Sequence, residues 1–130
     1  MALMKFREQN QVRWQGVRPA HDGTQRVGDA TATAAAAQVL LVGAGKIFYL
    51  CTAMMGFSAI AAGWCDLAVN TAIPALWHRL LVDYVAAAAS GITKSITFWP
   101  PLEIPAGYTI DVASGAAGLT VYGAVFGWEE

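Results

Sequence analysis

Polar and apolar residues alternate cleanly in two stretches of the C-terminal half: Ser95, Ile96, Thr97 and Phe98, then Tyr108, Thr109, Ile110, Asp111 and Val112. Alternation of period two gives a strand one apolar face, so both stretches predict β-strands with one side buried. Upstream, residues 38–42 are apolar and β-branched and are closed by Gly43, Ala44 and Gly45, which predicts a strand and a turn. Further strands are expected over residues 46–54, 64–69, 93–99, 108–113 and 119–128. Small-residue loops are expected over 55–62 and 86–91, with a third loop carrying Pro100 and Pro101.

Residues 73–85 fit two patterns. Ile73, Leu76, Leu80 and Tyr84 lie on one helical face, and Pro74 suits a first helical turn. Leu76, Leu80, Val82 and Tyr84 also share strand parity, leaving Arg79, Leu81 and Asp83 on the outer side. Flanking strands favour the second reading. In the last strand both parities are apolar, with Leu119, Val121 and Val125 on one side and Tyr122, Phe126 and Trp128 on the other. A strand apolar on both faces buries both, and Tyr122, Phe126 and Trp128 are therefore candidates for a subunit interface. Short strands separated by Gly, Pro and Ala turns predict an all-β sandwich or barrel.

Charge divides the chain. Residues 1–28 hold Lys5, Arg7, Arg13, Arg18 and Arg26 against Glu8 and Asp22, a net +3, while the remainder carries −4. Residues 1–30 read as a flexible basic arm ahead of a domain over 31–130, with the Ala- and Thr-rich run 29–37 as a linker. Arg13, Trp14, Arg18 and Arg26 are its candidate contacts with an acidic partner surface. On this reading, removing residues 1–28 leaves the body's unfolding unchanged. Five basic residues spread over the arm make a thin phosphate-binding surface, so no specific nucleic acid is expected.

With 130 residues the chain is sized for one domain, and its 13% of charged residues is low for a soluble surface. Either partners cover the surface or lipid does. Residues 47–65, IFYLCTAMMGFSAIAAGWC, carry no charge and approach the length of a membrane span, which makes a small integral membrane protein the rival reading. Thr52, Gly56, Ser58 and Gly63 dilute that stretch, and the period-two segments downstream are too short to span as helices. A membrane is not expected. The N-terminus lacks the pattern of a secretory signal, which points to synthesis in a cytoplasm.

Residues with chemical potential do not converge in sequence. His21 and His78 are far apart, and GAGK at residues 43–46 lacks the leading glycine and the hydroxyl residue of a phosphate-binding loop. Asp66, Asp83, Glu103 and Asp111 have no spacing that pairs them. Cys51 and Cys65 read as free buried thiols, facing each other across a hairpin centred near Ser58. No catalytic residue, metal ligand or cofactor is expected. Trp64, Trp77, Trp99 and Trp128 allow an alternative in which flat rings line a glycan-binding face.

The stretch FWPPLEIPAGYTIDVAS, residues 98–114, followed by GLTVYGAVFGWEE, resembles a pattern in small structural proteins of tailed-phage virions. There a strand runs into paired prolines, a short apolar loop and a Pro-x-Gly turn, here Pro100, Pro101, Leu102, Ile104, Pro105 and Gly107. The resemblance implies a jelly-roll-like β-sandwich of about seven or eight short strands. It also implies a role in capsid decoration, as a cement protein, or, as the alternative, in a tail-associated or receptor-binding module. The implied partners are the major capsid protein or other virion subunits and further copies of the chain, as a homotrimer or higher oligomer.

Overall fold

The computed structural model describes residues 23–72, 75–86 and 90–130. Eight strands follow one another: β1 (Thr24–Thr33), β2 (Ala36–Leu41), β3 (Ile47–Ala59), β4 (Gly63–Ala72), β5 (Ala75–Val85), β6 (Ser90–Pro105), β7 (Thr109–Ser114) and β8 (Leu119–Glu129). They form two four-stranded antiparallel sheets, ordered β1-β8-β3-β6 and β2-β7-β4-β5. The chain changes sheet at every connection except β4 to β5. The fold is an all-β sandwich, as the alternating pattern predicts.

The core lies between the two inner faces. β8 contributes Leu119, Val121 and Val125, β3 contributes Phe48, Leu50, Ala53 and Met55, and β7 contributes Ile110 and Val112, all fully buried. Gly123 of β8 faces this core, close to the opposite sheet. A Cβ there would stand 3.0 Å from both Leu67 Cδ1 and Val112 Cβ. The two turns read from glycine and proline are present. Lys46 N donates to the Gly43 carbonyl at 3.1 Å with Gly45 at φ 71°, and Tyr108 N donates to the Pro105 carbonyl at 3.3 Å with Gly107 at φ 82°.

Several expectations are corrected. The arm does not extend to residue 30, because β1 begins at Thr24 and pairs with β8 from Thr24↔Glu129 to Thr33↔Thr120. Its inward positions beyond Arg26 are Gly28, Ala30 and Ala32, too small to register as a hydrophobic face in sequence. Small residues are required because β1 lies against β2: a Cβ on Gly28 would run into the Val39 carbonyl. Residues 1–22, with His21 and the candidate contacts Arg13, Trp14 and Arg18, lie outside the described residues.

The expected loop at 55–62 is mostly strand, since β3 continues to Ala59. Its inward residues are Phe48 and Leu50 before Cys51 but Ala53, Met55, Phe57 and Ala59 after it, because Cys51 forms a bulge that shifts the pairing. That parity switch conceals a strand from a period-two reading. The uncharged stretch 47–65 is therefore β3, a turn and the start of β4 rather than a membrane helix. Among the described residues no helix is long and apolar enough to cross a membrane.

A second bulge, at Leu80, reorders β5. Leu67 pairs with Leu81 and Ala68 with Arg79, which skips Leu80. Beyond that point Val82 and Tyr84 face outward, whereas Leu81 packs partly against the core. Arg79, Leu81 and Asp83 thus do not share the outer side. Pro100 and Pro101, and Glu103 after them, lie within β6. Leu50 pairs with Leu102 and Thr52 with Thr97, so residues 98–101 protrude from the ladder, with the Trp99–Pro100 peptide cis. β6 is an edge strand, where prolines without an N–H to donate are tolerated.

Arg26 has a structural role. Its Nη1 donates to Glu129 Oε2 at 2.8 Å and to the Leu41 carbonyl at 3.1 Å, and Gly43 N donates to the same Glu129 oxygen at 3.0 Å. The carboxylate ties β1, β8 and the β2–β3 turn together at one end of the sandwich. Charge-assisted bonds to a mostly buried group are worth more than surface ion pairs. Glu129→Ala is expected to lower unfolding free energy by about 2 kcal/mol in urea titration. Deleting residues 1–28 removes half of β1, uncovers the β8 edge and leaves Glu129 without Arg26. Circular dichroism melting of that truncation is expected to show an unfolded or strongly destabilised chain, not the unchanged body that a free arm implies.

Candidate functional site

β8 lies between β1 and β3, so side chains opposite to its core residues form the middle of an outward-facing surface. Tyr122, Phe126 and Trp128 all fall there. Cross-strand pairing surrounds them with apolar neighbours: Val27 lies opposite Phe126, Tyr49 opposite Trp128, and Ala124 opposite Met54. Val27 is 57% exposed and Tyr122 50%, whereas Phe126 and Trp128 are half-buried. Tyr49 and Trp128 stack with ring centroids 6.1 Å apart and planes at 28°. Beside Tyr122, which faces Gly56, a shallow recess of about 410 Å³ opens between Thr31, Met54 and Ala124. The three interface candidates are thus brought together on one face.

That face has few groups to hold a polar ligand. Its described borders are Gln25, Asp29, Thr31 and Thr33 on β1, Thr52 and Ser58 on β3, and Ser95, Thr97 and Glu103 on β6. A contiguous apolar surface with a polar border is the arrangement of an interface between macromolecules. Sequence reasoning found the β8 residues through their double apolar parity. It missed Val27, because β1 carries no hydrophobic period, and Met54, because the Cys51 bulge changes the parity of β3.

The outward face of the other sheet differs in character. Arg79 Nε donates to Asp66 Oδ2 at 2.9 Å, Asn70 Nδ2 to Asp111 Oδ2 at 3.3 Å, and Thr109 Oγ1 to the same Asp111 oxygen at 3.2 Å. Trp64 and Tyr84 meet edge to face on this surface at 5.1 Å. The tryptophans do not line a single face, since Trp64 and Trp128 look out from opposite sheets. Asp83 lies within 3.8 Å of Lys94 Nζ across the β5–β6 edge. Exposed His78 is opposite Val69. Among the described residues no three His, Cys, Asp or Glu side chains cluster as a metal site.

Cys51 and Cys65 are both free, but they are not cross-strand neighbours: β3 and β4 belong to different sheets. Burial pushes the Cys65 thiol up from 9.0 to about 11, reinforced by the Asp83 and Asp66 carboxylates, and its Sγ donates to the Asp83 carbonyl at 3.7 Å. Burial raises Cys51 as well. Because the folded pKa lies above the unfolded one, the neutral Cys65 thiol favours the folded state below about pH 9. That contribution is lost as pH rises through about 11. Thiol-reactive dye at pH 8 is expected to label Cys65 only upon denaturation. A Cys65→Ser variant should flatten the fall in stability between pH 9 and 11.

Architecture defines the class: an eight-stranded, fully antiparallel β-sandwich with one apolar and one mixed outer face. No family model matches the chain. No curated protein matches it either. Among solved structures, the Drosophila NLP core, a crystal structure described for its insight into pentamer formation and histone binding, is similar at 16% identity. That match covers 80% of this chain and 97% of that one, with a TM-score of 0.45. A likeness so slight bears on neither the partners nor the assembly of this chain.

Proposed function

We propose that this protein is a non-enzymatic structural subunit of a virion, a capsid decoration or cement protein that works by binding alone. The observation that carries the reading is the apolar outer face centred on β8, where Val27, Tyr122, Phe126 and Trp128 lie outside a sandwich whose core is already filled. The strand order β1-β8-β3-β6 and β2-β7-β4-β5 supports it, being compatible with a jelly-roll-like sandwich, an architecture that recurs in viral capsid domains. The third support is the resemblance of residues 98–114 to small virion proteins of tailed phages.

In this role the β8 face packs against further copies of the chain, as a homotrimer, and the trimer caps seams between major capsid subunits. Arg26 is withdrawn from the docking arm because it is bound to Glu129. Lys5, Arg7, Arg13, Trp14 and Arg18, in residues 1–22, keep the proposed contact with an acidic capsid surface. Each contact is modest, and repetition over a particle raises avidity through effective concentration.

Analytical ultracentrifugation at micromolar concentration tests the assembly step. The wild-type chain is expected to sediment as a trimer, and Val27→Asp and Tyr122→Asp as monomers with unchanged melting, since both side chains are exposed in the single chain. For the virion role, antibody against the protein should label intact particles of the phage that encodes it. Absence from purified virions would overturn this reading.

A further inference from the structure

We propose that the outward face of β4 and β5 is a binding site for a neutral pyranose sugar, separate from the β8 face and on the opposite side of the sandwich. Trp64 and Tyr84 are directly paired across the two strands and remain 63% and 54% exposed, although they pack edge to face at 5.1 Å. Next along the ladder Asp66 pairs with Val82, itself 45% exposed. Arg79 extends over this row and donates from Nε to Asp66 Oδ2 at 2.9 Å. Trp64, Asp66, Arg79 and Val82 enclose a recess of about 310 Å³.

Each feature matches a part of a sugar ring. A pyranose offers a flat face of C–H bonds that packs on an indole, and a rim of hydroxyls that both donate and accept hydrogen bonds. Trp64 supplies the flat apolar surface, and Tyr84 holds the indole by its edge contact. The Asp66–Arg79 pair supplies an acceptor and donors side by side, the few convergent polar groups that orient a ligand in such a recess. The pair also selects against charge. Paired at 2.9 Å, the Asp66 and Arg79 charges largely cancel, so the recess offers no net charge to a cationic or an anionic ligand. A neutral saccharide remains.

Trp64 was a candidate in sequence, but Tyr84 and Val82 were concealed, because the Leu80 bulge turns them from the expected inner side to the outer one. The site does not depend on the virion reading.

Titration of the full chain with maltotetraose, cellotetraose and N-acetylchitotetraose, followed by calorimetry and by intrinsic fluorescence, tests the proposal. At least one is expected to bind saturably, with affinity reduced roughly tenfold or more, about the worth of one well-placed aromatic contact, in Trp64→Ala, and by a smaller factor in Tyr84→Ala, which removes the support of the indole. Asp66→Asn is expected to weaken binding less, and Trp99→Ala, exposed on β6 of the other sheet, not at all. Both aromatic side chains are largely exposed, and unchanged melting of Tyr84→Ala separates a lost contact from a lost fold. Binding of none of the three sugars, binding indifferent to Trp64→Ala and Tyr84→Ala, or tighter binding of choline than of any sugar would each overturn it.

Discussion

β8 is hydrogen-bonded along both edges, to β1 and to β3, and this central position constrains the rest of the molecule. A strand paired on both sides can send its side chains only to the core or to the outer face. Leu119, Val121 and Val125 go inward and are fully buried, while Gly123 lets Leu67 and Val112 of the opposite sheet approach. Tyr122, Phe126 and Trp128 consequently go outward. The end of the strand is tied down by Glu129, which gathers Arg26 and the β2–β3 turn. The hydrophobic outer face is thus a consequence of how the core is built.

Where pairing is regular, the sequence reveals the fold. Ile110 and Val112, on one parity of an alternating run, are fully buried in β7, and the two sides of β8 divide between core and surface as their pattern indicates. Regularity fails at Cys51 and Leu80, where a bulge adds one residue and exchanges the inner and outer faces of the strand beyond it. A bulge depends on what the partner strand does, so nothing local to the sequence announces it. β1 was hidden for another reason: its inward Gly28, Ala30 and Ala32 are small because β2 lies close, and smallness resembles a linker. Tyr122, Phe126 and Trp128 were visible through their period and Trp64 as a flat aromatic, but Val27, Met54 and Tyr84 needed the register.

Two sheets with different outer faces suggest a division of labour. The β8 side is apolar at its centre and bordered by polar groups that include Asp29 and Glu103. The β4–β5 side mixes exposed rings with a charge pair, suited to a small polar ligand. If copies associate through the first, the second points away from the assembly. A decoration subunit built in this way would present one sugar recess per copy on its exposed side, and weak sites gain avidity when repeated.

The central claim is that the β8 face is covered in the assembled protein. Hydroxyl-radical footprinting across a dilution series reads it directly, because Met54 and Tyr122 lie on that face while Trp64 lies on the opposite sheet. The account predicts that Met54 and Tyr122 become protected as concentration rises and that Trp64 reacts equally throughout. Met54 and Tyr122 reacting as fully in concentrated protein as in dilute would contradict it.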